Sequence, residues 1–256
     1  IYKHILGTSQ ADDILVFEEK DVTFNCFIFK SKSDAYLMIG SSQTLSTEYR
    51  FLDANKPNGE WKIIQPREQN LEYQPDHFGD SFYIRTNLDA KNFKLVKTPI
   101  AATSKENWID VIPHRTDVLL EGTDLFENFL VISERVNGLS AIRVMEWNGS
   151  EHYIEFNDPA YFAGTTSNLD FNTTILRYNY TSLTTPYSVI DYNVETQEEE
   201  IKKQQEVLGG KFDSKNYTSE RLFATAHDGI KIPISIVRHV NTELNQDTPI
   251  LQYGYG

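Results

Sequence analysis

The side chains of this chain that can do chemistry are scattered rather than grouped. Six histidines, His4, His77, His114, His152, His227 and His239, stand at wide spacings, and none has a second histidine four residues away. A metal-binding helix face needs that spacing, so each is read as a structural histidine. No H-E-x-x-H, C-x-x-C, P-loop or G-x-G-x-x-G string occurs, and no metal or cofactor is expected. The string nearest to a G-x-S-x-G nucleophile elbow is Gly138-Leu-Ser140-Ala-Ile. It lacks the second glycine and lies between two strand-like runs, so Ser140 is not read as a nucleophile. Asp12-Asp13 and Glu18-Glu19 look like carboxylate dyads, but adjacent residues on a strand point to opposite faces. Cys26, the single cysteine, lies in an apolar run and is read as a small buried hydrophobe. Taken alone, these residues assemble no complete enzyme site.

What must position any site is a β-rich scaffold. Hydrophobic residues make up 39% and aromatics 12% of the 256, enough for a packed core. Fourteen tyrosines and fifteen phenylalanines favour strands over helices. The formal net charge of −13 repels phosphate backbones and anionic lipid, which argues against nucleic-acid and membrane-surface partners. No apolar run reaches the roughly 18 residues of a membrane helix. One cysteine allows no intrachain disulfide, which points to a reducing compartment and a cytoplasmic location. Sequons at Asn148, Asn172, Asn179 and Asn216 matter only for a secreted protein.

Two strand series repeat with one period. Leu37–Ile39, Phe82–Ile84, Leu130–Ile132 and Ile175–Arg177 are centred at 38, 83, 131 and 176, steps of 45, 48 and 45. Companions centred at 50, 94, 142 and 189 step by 44, 48 and 47. A repeat of about 40–50 residues with about four strands marks a β-propeller blade. A β-sandwich also has short, evenly spaced strands, but need not repeat in two linked series. Four blades are predicted between Phe24 and Ile201, with residues 1–19 as the end of an earlier one. The acidic run Glu195 to Val207 is read as a solvated turn or strand edge.

The organisation changes near residue 208. Leu208-Gly209-Gly210 and Asp213 to Asn216 read as a linker. Arg221–Thr225 and Ile232–Val237 are predicted strands, with His227-Asp228-Gly229 between them. The Asp-Gly pair suggests a hairpin with a type I′ turn. A further strand is predicted over Ile250–Tyr253. The chain thus divides into residues 1–207, the blades, and residues 208–256, a second domain beginning.

Several strings in this order resemble the prolyl oligopeptidase family of serine peptidases, and within it the oligopeptidase B (protease II) branch. They include Tyr217-Thr-Ser-Glu-Arg221, Ala224-Thr-Ala-His-Asp-Gly229, Ile232-Pro-Ile-Ser-Ile-Val237 and Pro249-Ile-Leu-Gln-Tyr-Gly-Tyr-Gly256. In the blades, Asp76-His77-Phe-Gly-Asp80, His114-Arg115-Thr-Asp117 and Asp158-Pro-Ala-Tyr161 agree with them. The resemblance implies a seven-bladed propeller capping an α/β-hydrolase domain, here four to five blades and the first strands of that domain. It implies hydrolysis of short peptides after Arg or Lys by a Ser-His-Asp triad, the propeller excluding folded proteins.

By the same resemblance Tyr255, the second Tyr of Tyr-Gly-Tyr-Gly, donates its hydroxyl to the oxyanion hole. The triad residues and the acidic groups that bind Arg or Lys are expected beyond Gly256, so this stretch alone is expected to be inactive. Two alternatives stand beside this reading: cleavage after proline within the same family, and a free-standing propeller used as a binding scaffold. Exposed blade edges are expected to favour self-association.

Overall fold

A computed structural model describes residues 1–254. Its strands fall into four antiparallel four-stranded sheets and two two-stranded ones. Strands β1 (Tyr2–Lys3) and β2 (Ile14–Leu15) pair with each other only. The first blade holds β3 (Asn25–Lys30), β4 (Tyr36–Gln43), β5 (Ser46–Asp53) and β6 (Lys62–Ile63). The second holds β7 (Tyr73–Phe78), β8 (Ser81–Thr86), β9 (Lys94–Pro99) and β10 (Ile109–Ile112). The third holds β11 (Val118–Leu125), β12 (Phe129–Val136), β13 (Leu139–Glu146) and β14 (Glu151–Tyr153). The fourth holds β15 (Tyr161–Thr165), β16 (Ile175–Ser182), β17 (Ser188–Asn193) and β18 (Glu199–Gln204). In every sheet the strands pair in sequence order, the meander of a propeller blade.

The two repeat series are the second and third strands of each blade. These strands read as apolar runs because a central blade is covered on both faces. In β12, Leu130 and Ile132 belong to the core shared with the second blade, while Phe129 and Val131 belong to the core shared with the fourth. A third core joins the first two blades through Met38, Phe51, Phe82 and Ile84. Each fully buried side chain of this kind contributes about 1.5–3 kcal/mol. The stability of the array therefore lies between blades as much as within them.

The Glu195–Val207 run supplies β18, the exposed outer strand of the fourth blade. After it, β19 (Tyr217–Thr225) and β20 (Lys231–His239) form the expected hairpin. Its turn differs from the predicted type I′. Gly229 alone takes positive φ, at 86°, and Gly229 N–H donates to Ala226 C=O. Since Ala226 N–H also donates to Ile230 C=O, three residues form the loop rather than two. That length selects a type I turn followed by a left-handed glycine. Ile250–Tyr253, predicted as a strand, is not one: among the described residues no strand pairs with it, and Ile250, Leu251 and Tyr253 are exposed. Among the described residues no helix is long and apolar enough to cross a membrane.

Candidate functional site

The first strands of the four blades converge. Each is an edge strand of its sheet, and residues of β3, β7, β11 and β15 line one cleft of about 650 Å³. Pro75 fits here because an edge strand can spare an N–H. Side chains alternate across β7. Asp76 faces the cleft, and its neighbour His77 turns into the core beside Tyr36 and Phe82.

Three charged side chains meet in the cleft. Lys32, in the turn after β3, donates from Nζ to Asp124 Oδ1 of β11 at 2.6 Å. The same ammonium lies 3.2 Å from the centroid of the Phe126 ring, a cation–π contact. The Lys32 backbone N–H donates to Asp76 Oδ1 at 3.4 Å, and the His77 N–H donates to the same oxygen at 2.8 Å. Burial pushes the Asp76 carboxyl up to about 6, against the pull of these backbone amides, and the charge of Asp124 adds to the rise. Burial also raises the Asp124 carboxyl, with Lys32 opposing it. Burial lowers the Lys32 ammonium, with Asp124 opposing that. Two carboxylates thus share one ammonium in a partly dry cleft.

One Ser–His contact adjoins this cluster. Ser33 Oγ and His77 Nδ1 lie 2.7 Å apart, within the reach of a nucleophile–base pair. His77 Nε2, however, is buried without a partner, so no carboxylate orients the ring. Burial holds the imidazole below its ordinary range. An unoriented, weakly basic imidazole makes a poor general base, and the pair reads as a structural bond.

The other candidates are dispersed. Ser140 is buried in β13, where its Oγ accepts from Ala163 N–H at 2.8 Å and ties the third blade to the fourth. Asp13 meets His4 at 2.6 Å, and Glu19 meets Arg67 at 2.6 Å, so neither acidic pair acts as a dyad. His114 Nε2 accepts from Asn92 N–H, and His152 bonds the Tyr192 hydroxyl. Cys26 is half-buried in β3. Among the described residues, no three potential ligands gather to hold a metal ion. Tyr255 lies outside the described residues.

Residue types alone did not single out the Lys32 cluster, whose members lie 44 and 92 residues apart. One signal was present. Lys32, Asp76, Asp124 and Asp170 stand 44, 48 and 46 residues apart, which is the blade period. Asp170 also acts on Lys32 by its charge.

Comparison with known proteins agrees with this architecture. Residues 1–205 match the family model described as prolyl oligopeptidase, N-terminal beta-propeller domain. The dipeptidyl aminopeptidase BI of Pseudoxanthomonas mexicana is 42% identical over 99% of this chain and 35% of its own length. Protease 2 of Moraxella lacunata is 30% identical over 100% of this chain and 36% of its own. The solved structure of oligopeptidase B from Leishmania major superposes with a TM-score of 0.87 at 30% identity, over 97% of this chain and 36% of that one. The chain thus spans about a third of the length of the relatives it matches.

Proposed function

Because the chain belongs to the prolyl oligopeptidase family through its N-terminal propeller domain, we propose that it serves a serine peptidase that hydrolyses short peptides after Arg or Lys. Residues 1–207 would be propeller and residues 208–256 the linker and first hairpin of the peptidase domain. The observation that carries this reading is the convergence of the four first strands on one cleft with an excess of carboxylates. A peptide threading past these strands meets a rim that favours cationic side chains, in a molecule whose formal charge is already −13. The 30% identity to a protease and to an oligopeptidase B over nearly the whole chain supports the same reading. By resemblance, Tyr255 would add its hydroxyl to the oxyanion hole.

The test uses the full-length protein that carries this sequence, assayed on short fluorogenic peptides with Arg, Lys or Pro before the scissile bond. Arg and Lys peptides are expected to turn over fastest, and Tyr255→Phe to lower kcat roughly 100-fold or more. Faster cleavage after Pro would overturn the specificity. A second reading, removal of N-terminal dipeptides, is favoured by the name of the 42%-identical relative. Equal turnover of N-terminally blocked and free peptides would dismiss it.

A further inference from the structure

Lys32 touches three blades at once. It belongs to the Ser31–Ala35 turn of the first blade, its N–H reaches Asp76 of the second, and its ammonium reaches Asp124 and Phe126 of the third. Its side chain is only 10% exposed, so the charge is committed to this junction. The turn is itself held in place. Ser31 N–H donates to Tyr36 C=O at 2.8 Å, and Ser33 Oγ meets the second blade through His77.

We propose that Lys32, Asp76 and Asp124 form a proton-sensitive staple across the inner strands of three consecutive blades, tighter when Asp76 is neutral and looser when both carboxylates are charged. The groups facing Asp76 can be named. Lys32 comes from the turn after β3, and Asp124 from β11; Asp170, in the segment after β15, acts on Lys32. Lys30 and Asp34 line the same cleft but are paired with each other at 2.8 Å. His77 offers Asp76 its backbone N–H, while its ring faces Tyr36 and Ser33.

With Asp76 neutral, one ammonium faces one carboxylate and the junction balances. With Asp76 charged, a second buried carboxylate shares that one ammonium; burial, with the Asp124 charge adding to it, outweighs the two amides and the Lys32 charge that favour the ion, and the junction loosens between the second and third blades. The folded carboxyl titrates above its unfolded counterpart. Its stabilising contribution is therefore complete below the unfolded value and lost as pH rises through about 6. The staple uses carboxylates of the same cleft as the peptidase reading but needs no substrate, so exchange without peptide tests it separately.

Amide hydrogen exchange on the full-length protein that carries this sequence tests it, with intrinsic rates corrected for pH. Amides of residues 31–36, 74, 76, 77 and 120–125 are expected to be about tenfold better protected near pH 5 than near pH 7.5. Asp76→Asn should hold the better protection at both pH values, and Lys32→Met should lower it at both. Asp34→Asn, outside the staple, should keep the wild-type response. Should Asp76→Asn fail to fold, the Asp76 side-chain carboxyl carbon can be followed by NMR in the wild-type chain. Titration in the ordinary Asp range, a pH response that survives in Asp76→Asn, or one that vanishes in Asp34→Asn would overturn the proposal.

Discussion

Tyr73→Phe is the substitution that most sharply tests how the first two blades are joined. Tyr73 is 2% exposed, and its hydroxyl is the sole polar atom of the side chain. It donates to Gln65 C=O at 2.5 Å and accepts from Tyr49 N–H at 2.8 Å, so one oxygen bridges a loop and a central strand of the first blade. The same residue's backbone is clamped by Thr47, whose Oγ1 accepts from Tyr73 N–H and donates to Tyr73 C=O, each at 2.8 Å. Phenylalanine keeps the ring and its contacts with Tyr49 and Trp108. What disappears is two hydrogen bonds, and what remains is a buried N–H and a buried C=O without partners.

Each of the two lost bonds is worth about 1 kcal/mol and the stranded donor about 1–3 kcal/mol more, so a loss of about 3–5 kcal/mol is expected. That is a large part of the ~5–15 kcal/mol that holds a typical domain together. Urea unfolding followed by fluorescence measures it: the midpoint should fall with little change in slope. Tyr2→Phe, at a position 66% exposed, is the control and should stay within about 0.5 kcal/mol of wild type. Thr47→Val, combined with Tyr73→Phe in a double-mutant cycle, should show coupling of about 0.5–3 kcal/mol because both groups fix one residue. A Tyr73→Phe loss no larger than the control's would refute the idea that this oxygen is an inter-blade tie.

Two further substitutions probe charge. Glu134, 1% exposed, is held by Arg143 at 2.7 Å and by the Tyr153 hydroxyl at 2.7 Å. Arg143→Met should cost about 3–5 kcal/mol at most, because the Tyr153 hydroxyl and Arg115, 3.8 Å away, still face that carboxylate. Arg177→Met, at a half-exposed pair with Asp191, should cost under about 1 kcal/mol in the same unfolding assay. Burial works to raise the Glu19 carboxyl, but hydrogen bonds led by Arg67 overcome it and hold the group at about 2. Its contribution is present above the ordinary Glu range and lost as pH falls toward 2. Glu19→Gln should therefore flatten the acid limb of a stability–pH curve.

How much of this molecule was legible in its sequence depended on burial. The second and third strands of the blades stood out because packing against neighbouring blades concentrates apolar and aromatic residues in them. Leu130-Val131-Ile132 is the clearest case, split between two cores. First strands were legible in the first and third blades, at Phe24–Phe29 and Val118–Glu121, and harder to see in the second and fourth. Strand β7 carries Gln74, Pro75 and Asp76 because it borders a polar cleft, and β15 carries Gly164. Outer strands are short and wet, down to the two residues of β6. Turn chemistry was legible only in part. Asn137-Gly138 takes positive φ at both residues, 51° and 78°, closing β12 onto β13 by the two-residue rule. Asp228-Gly229 offers the same signal inside a three-residue loop and folds otherwise.

The charged cleft was hidden for a different reason. A period fixes where a strand begins, but side chains alternate along it, so a shift of one residue exchanges the two faces. At Asp76-His77 that exchange would bury a carboxylate against Tyr36 and Phe82 and turn an imidazole to the cleft. Which arrangement holds depends on pairing: Asp76 sits opposite Tyr83 and His77 opposite Phe82, and Phe82 is wholly buried toward the first blade. The apolar residue of the second strand therefore dictates the direction of the polar residue of the first. Charged residues that recur once per blade become meaningful only after the legible strands have set that orientation. In a propeller, then, the site is deciphered through the core: the strands that carry no chemistry determine which charges can meet at the inner edge.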